Sequence, residues 1–359
     1  MRAMVLKRHG GPEALEFEPD WPVPQIGAEE VLIRVAACGM NNTDVNTRAG
    51  WYSKSVTEAT TGAAYKTLDA SEDNTWGGAG VAFPRIQGAD VCGHVVAVGA
   101  RADQSLLGRR VITDAWLRDW DDPLNRDKMG YFGSEADGGF AEYTKTHYRN
   151  AVPVESDLSD AELATFSCSY STAEGMLTRA GVTADDTVLV TGASGGVGGA
   201  LIQLAKRRGA RVVALASEAK HAEVALCGPD AILPRAPADL PGALEAAIGQ
   251  RDVSVVADIV AGPYFSVLLD ALSRGGRYVT SGGIAGPIVA LDMRTLYLKD
   301  LTFHGSTAVP PEIFERLVGY IEAGEVKPML AATYPLEAFH AGQAAFIEKR
   351  HTGNIVVVP

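Results

Sequence analysis

The run Val188-Leu-Val-Thr-Gly-Ala-Ser-Gly-Gly-Val-Gly-Gly-Ala-Leu-Ile-Gln-Leu-Ala-Lys206 constrains this chain more than any other segment. An apolar strand leads into a glycine turn, and the turn leads into an apolar helix. Small residues at Gly192, Ala193, Gly195, Gly196 and Gly198 let backbone amides come close to an anion. The helix that follows offers unpaired N–H groups and the positive end of its dipole at the same place. A second apolar run, Arg211-Val-Val-Ala-Leu-Ala216, follows at the spacing of a βαβ unit. The combination predicts a dinucleotide pyrophosphate at this turn, in contact with Ala193, Ser194, Gly195, Gly196 and Val197.

With 359 residues the chain has room for two domains and a large core. Its composition is that of a globular α/β protein. A net charge of −12, with no long basic run, argues against a nucleic-acid or anionic-membrane surface. Cys38, Cys92, Cys168 and Cys227 form no CxxC pair, so neither a zinc knuckle nor a thioredoxin-like site is implied. Such sparse cysteine points to a reducing compartment, with each thiol expected as a small buried apolar group. The first residues lack a secretory apolar core, and no segment is long and apolar enough to span a bilayer. A soluble, cytoplasmic protein with a small-molecule substrate is expected.

The first half reads as strands punctuated by glycine and proline, including Val31–Ala37 and Gly93–Val98. That spacing predicts a rolled, barrel-like antiparallel domain. Residues 53–83 interrupt it with a Ser/Thr/Gly-rich stretch, read as a partly ordered lid because Tyr65, Trp76 and Phe83 give it something to bury. From about residue 153 the pattern changes. A helix begins at Asp160, capped by Ser159 or Asp160, and strands then alternate with helices to about residue 309. Val253–Val260, Gly276–Gly283 and Leu301–Ser306 are later strands of a doubly wound parallel sheet, with its ligand crevice at their carboxyl ends. A helix over 312–323 and a final strand over 353–358 follow, the latter rejoining the first domain. The expected division is therefore 1–152 with 310–359, against 153–309.

Several motifs together resemble the medium-chain dehydrogenase/reductase superfamily over nearly the whole chain. They are Gly88-Ala-Asp-Val-Cys-Gly-His-Val-Val-Ala-Val-Gly99, Asp137-Gly-Gly-Phe-Ala-Glu-Tyr143, Ser171-Thr172, the 193–198 turn and Gly353-Asn-Ile-Val-Val-Val-Pro359. The resemblance implies a GroES-like barrel domain, a Rossmann domain and an active site between them. It also implies a homodimer or homotetramer joined at the sheet edge near Leu301. Zinc members of the superfamily carry a cysteine where this chain has Asn41, and Gly-His-Glu where it has Gly88-Ala89-Asp90. Only Cys168 matches a third ligand, and a catalytic zinc needs about three. Residues 100–136 contain no cysteine for a structural zinc lobe. His94 and Cys92 share one strand face but remain too few. No metal is expected. Asn41, Asp44, Arg48 and Tyr52 fall where the zinc-free quinone oxidoreductase branch has its active-site segment. Asn46, where that branch often has tyrosine, and the 53–83 insertion depart from it.

Without a metal, hydrogen-bond donors must stabilise the oxygen that gains charge when hydride leaves nicotinamide. The Asn41 amide and Tyr52 hydroxyl are the candidates, Tyr52 being otherwise a loop residue packed on the insertion. Asp44 and Arg48 read as an ion pair or as reactive groups. Thr172 is expected to open a helix beside the nicotinamide, as a cap, a cofactor contact or both. The strand ends at Ile259 and Gly283 are expected to flank the ring with their backbones. The second strand ends in Ser217, followed by Glu218 and Lys220, with Arg235 after the third. Ser217, Lys220 and Arg235 resemble a 2′-phosphate site, whereas adjacent Glu218 leans towards NADH; NADPH is the expected cofactor, unless the two cations are merely solvated. The leading expectation is a zinc-independent, NADPH-dependent oxidoreductase acting on quinones or α,β-unsaturated carbonyls. An alcohol/aldehyde dehydrogenase and an NADPH-binding sensor or structural protein with little turnover are the alternatives.

Overall fold

The computed structural model describes residues 1–63 and 80–359. Tyr65 and Trp76 of the expected lid lie outside the described residues, whereas Phe83 packs edge-on to the His9 ring at 4.8 Å. The first half supplies β1 (Ala3–Leu6), β2 (Leu15–Glu18), β3 (Glu30–Gly39), α1 (Asn42–Ala49), α2 (Thr60–Ala63), β4 (Arg85–Ile86), β5 (Asp90–Val98), β6 (Arg110–Thr113), β7 (Trp116–Leu117), β8 (Gly130–Tyr131), β9 (Tyr143–His147) and β10 (Ala151–Pro153). Next come α3 (Asp160–Leu163), α4 (Ser167–Arg179), β11 (Thr187–Val190), α5 (Gly196–Arg207), β12 (Arg211–Ala216), α6 (His221–Ala225) and β13 (Ala231–Pro234). They are followed by α7 (Leu240–Ile248), β14 (Val253–Asp258), α8 (Phe265–Asp270), β15 (Leu272–Thr280), α9 (Met293–Leu298) and β16 (Thr302–Gly305). The last four are α10 (Pro311–Glu322), β17 (Leu330–Pro335), α11 (Phe339–Glu348) and β18 (Asn354–Val358).

A strand covered on both faces needs a continuous apolar run, and β11, β12 and β14 have one. Val188–Val190, Val212–Ala216 and Val255–Ala257 are buried throughout. They pair in parallel, Val188 opposite Val212 and Val255, in a sheet of order β13-β12-β11-β14-β15-β16. Strand order reverses between β11 and β14, so the crevice opens there, outside their carboxyl ends. On α5 the apolar stripe of Leu201, Leu204 and Ala205 is fully buried. Each leucine so buried contributes about 2 kcal/mol.

The other main sheet is largely antiparallel, in the order β10-β6-β5-β3-β18-β17 with β9 also on β3. Along β3, Val31, Ile33 and Val35 point inward, and two register shifts against β5 curl the ribbon. β18 lies beside β3, pairing Val356 with Gly39. The chain thus returns to this sheet after passing through the parallel one. On the way α10 buries Phe314, Leu317 and Ile321 in the same apolar cluster as β11 and α5. Ser159 caps α3 with a reciprocal Glu162 bond. No helix among the described residues is long and apolar enough to cross a membrane.

Candidate active site

The glycine turn occupies the mouth of the crevice. Gly192 has φ 59°, a conformation that favours glycine. Ala193 donates to the Leu215 carbonyl at 3.3 Å, and the Ser194 carbonyl accepts from Gly353 at 2.9 Å. Gly195 caps α5 with extended backbone and no side-chain bond. Gly195 lies in a parallel bridge with Gly353, and among the described residues no acceptor meets the amides of Ser194, Val197 and Gly198. A Cβ at Gly198 would lie 2.2 Å from the Gly192 carbonyl oxygen, whereas one at Gly195 would project outward with nothing nearer than 3.5 Å. Unpaired amides at a long helix's N-terminus, over an open cradle, fit a pyrophosphate.

The two strand-end loops meet beside this turn. Ile259 packs under Gly192, and Ala285 donates to the Val260 carbonyl at 2.8 Å, bringing the Gly283 loop against Ile259. Thr60 of α2 donates to the Ile284 carbonyl at 3.0 Å. At the far end of the crevice, Ser217 and Arg235 are exposed. Lys220 is more occupied: its ammonium donates to the carbonyls of Lys349 at 2.7 Å and His351 at 2.5 Å. Burial holds its pKa below the usual lysine range, and nearby Arg235 pushes the same way against Glu223. Lys349 beside it is half-buried and pulled down to about 7 by desolvation and by Lys220, donating to the Asn42 side chain at 2.9 Å. A basic group of Lys220, Arg235 and Lys349 therefore stands where the second and third strands end.

At the other end, Asn41 and Asp90 form the centre of a buried polar cluster. Asn41 is the N-cap of α1; its backbone amide donates to Asp44 Oδ2 at 2.7 Å, and its side-chain Nδ2 donates to Asp90 Oδ2 at 2.9 Å. The other Asp90 oxygen accepts from the Cys168 amide at 2.6 Å. Asp44 takes a second amide, from Gly88, at 3.3 Å, and Arg48 reaches the Gly10 carbonyl at 2.7 Å. The partners of Asp44 thus come from the backbone, and the expected pairing with Arg48 gives way to amide donors. Burial, the largest cause, raises the pKa of both carboxyls to about 7.

Hydroxyl and thiol groups of Cys168, Tyr131, Thr172 and Tyr52 face this cluster. The Cys168 thiol is hydrogen-bonded to Tyr131 and Thr172, and burial with Asp90 close by keeps it protonated. Tyr52 is half-buried, with its hydroxyl bonded to Asn46. Burial first, and then Cys168 and Asp44, raise its pKa. Thr172 lies one turn inside α4, which starts at Ser167, so it does not open or cap that helix. Asn41, Tyr52 and Thr172 are thus gathered around Cys168. Tyr131 and the bridging role of Asp90 escape sequence reasoning. Tyr131 comes from a two-residue strand with no local signal, and Asp90 meets Cys168 across 78 positions.

A catalytic zinc ion does not suit this donor set. Its three ligand positions hold an amide nitrogen turned to Asp90, the methyl of Ala89 and a single thiol, Cys168, where about three ligands are needed. No group of three or more His, Cys, Asp or Glu among the described residues is arranged to hold a metal.

Residues 27–156 match the alcohol dehydrogenase GroES-like domain, and residues 196–323 match the zinc-binding dehydrogenase domain. Quinone oxidoreductase of Mus musculus is 28% identical over 369 positions, covering 100% of this chain and 98% of the relative. Acryloyl-coenzyme A reductase of Metallosphaera sedula is 27% identical, covering 99% of each. A solved structure from Sinorhizobium meliloti 1021, described as a candidate alcohol dehydrogenase, is 47% identical with a TM-score of 0.90, covering 100% of this chain and 96% of that one. With a GroES-like barrel, a doubly wound Rossmann sheet and relatives aligned from end to end, the chain is an oxidoreductase of the medium-chain dehydrogenase/reductase superfamily.

Proposed function

We propose that the protein is a zinc-independent, NADPH-dependent reductase of quinones or α,β-unsaturated carbonyls, unsaturated thioesters included. The observation that carries this reading is that Asn41, Ala89 and a lone thiol, Cys168, stand where a metal-ligand set would be. A nicotinamide coenzyme supplies the hydride when bound. The remaining work falls to this chain. One N–H of the Asn41 amide is spent on Asp90, which fixes the plane of the group and leaves the second N–H for a substrate oxygen. Tyr52, with its raised pKa, keeps its proton at neutral pH and serves as a donor to the same oxygen. Neutral donors of this kind suffice for a conjugated acceptor, whose charge is already delocalised in the transition state.

Lys220 and Arg235 support NADPH over NADH. Lys220 has one N–H left after its two carbonyl bonds, and the neighbouring cations attract a 2′-phosphate. Steady-state oxidation of NADPH and NADH, with quinones, enones and aldehydes in turn, tests the assignment. The expected result is turnover of quinones or enones, faster with NADPH and indifferent to chelator. Chelator-sensitive oxidation of alcohols would contradict it, as would tight NADPH binding with no turnover.

A further inference from the structure

Below the crevice lies a buried carboxylate to which the chemistry above assigns no task. Asp258 ends β14 with no exposed surface, and all its hydrogen-bond partners are donors. Thr191 Oγ1, at the end of β11, donates to Oδ1 at 2.5 Å, and the Tyr278 hydroxyl, from β15, donates to Oδ2 at 2.5 Å. The amides of Val260, at 2.8 Å, and Ala261, at 3.2 and 3.1 Å, complete the shell. Thr191 Oγ1 also accepts from the Ile259 amide at 3.2 Å. One side chain therefore fastens the ends of three adjacent strands and the turn that leaves the middle one.

That turn is not relaxed. Ala261 sits at φ 54°, ψ −138°, a region that costs a residue with a Cβ about 1 kcal/mol or more. Gly262 follows at φ 68°. The two amides bonded to Asp258 are those of the strained residue and its predecessor, so the carboxylate holds the strain in place. The consequence reaches the crevice. Ile259 is pressed to within 3.0 Å of where a Cβ on Gly192 would be, and the Val260 carbonyl takes the Ala285 amide at 2.8 Å.

We propose that Asp258 is a positioning residue that sets the nicotinamide side of the coenzyme pocket before the coenzyme arrives. It does so by locking the Ile259–Gly262 turn to Thr191 and Tyr278. This rests on the nicotinamide-dependent reading above. Anchored this way, the turn presents its backbone to the coenzyme at no ordering cost; released, it must be ordered on binding. Asp258 touches neither the Asn41 amide nor the Tyr52 hydroxyl, so its loss falls on coenzyme affinity rather than on substrate binding.

The test compares wild type with Asp258→Ala, Asp258→Asn and Thr191→Val. NADPH affinity is read by fluorescence titration, and the separate KM values for NADPH and an enone or quinone by steady-state kinetics. Circular dichroism establishes folding. Asp258→Ala is expected to raise the NADPH dissociation constant about tenfold or more, with the substrate KM at saturating NADPH unchanged. Asp258→Asn, which keeps acceptors for the turn amides, is expected to recover most of that loss. Thr191→Val is isosteric and serves if Asp258→Ala does not fold; it is expected to weaken NADPH about fivefold. Folded variants that bind NADPH as wild type does, or that raise both KM values alike, overturn the positioning role. A wild-type protein that binds neither NADPH nor NADH overturns instead the functional reading beneath it.

Discussion

Asn41 shows how one side chain is committed twice. Its backbone starts α1 while its amide bridges to Asp90, so its free N–H is aimed by the fold and not by the substrate. Replacing it with alanine should lower kcat/KM for a conjugated acceptor by about a hundredfold, the usual loss for one donor to a developing oxyanion. Steady-state kinetics at saturating NADPH would read this. Tyr52→Phe should lower kcat while leaving the pH profile below about pH 9 unaltered, because a tyrosine with a raised pKa does not titrate there. The Asp44 and Asp90 pair makes a different prediction. Both pKa values rise from 3.8 to about 7, so between those values the folded protein binds more protons than the unfolded chain. Their contribution to stability is complete in acid and is lost as pH rises towards 7. His351, lowered from 6.5 to about 4 by burial, acts in the opposite direction between those values. The pair is therefore isolated by difference: the melting temperature of Asp90→Asn relative to wild type should climb from pH 5 to pH 8. A difference independent of pH would show that these carboxyls ionise normally.

Among the elements, the 192–198 glycine turn separates two glycines that look alike in sequence. Gly198 is required by the fold, since its Cβ would meet the Gly192 carbonyl oxygen at 2.2 Å. Gly198→Ala should cost about 3 kcal/mol in denaturant unfolding. Gly195 lies in the extended region, at φ −88°, with open space ahead of it. Gly195→Ala should leave the melting temperature within roughly 2 °C and still weaken NADPH about tenfold, because the methyl occupies the pyrophosphate's approach. Elements like these are legible in sequence because their causes are local. The glycine turn, the apolar stripe of α5 and the continuous runs of β11, β12 and β14 are each written within a few residues. The site is less so. Asp90 meets Asn41 across 49 positions, and Lys220 finds its carbonyls 129 and 131 positions away, partners that no local pattern announces. Thr172 is a related case. Expected to open a helix beside the nicotinamide, it instead lies five residues inside a helix that starts at Ser167, with its hydroxyl on Cys168.

Over the whole molecule, Asp90 stands on the antiparallel sheet and the glycine turn leaves β11 of the parallel one. Gly353, just before the final strand β18, bridges to Gly195 of the turn, and β18 then pairs with β3. The outer edge of the parallel sheet is unfinished. β16 is its last strand, and Ile288, Met293, Tyr297 and Leu298 nearby leave large apolar side chains exposed. We propose that a second copy of the chain covers this edge, since uncovered strand edges with apolar flanks associate. Light scattering coupled to gel filtration should give at least a dimer for wild type and a monomer for Tyr297→Asp combined with Leu298→Asp; a monomeric wild type would contradict the proposal. We propose that this cleft reduces conjugated acceptors with hydrogen-bond donors in place of a metal. The most direct test is NADPH oxidation with a quinone or enone by protein whose zinc content has been measured by plasma emission. Turnover at full rate is expected with far less than one zinc per chain and no response to added chelator. Activity that tracks zinc content would contradict it.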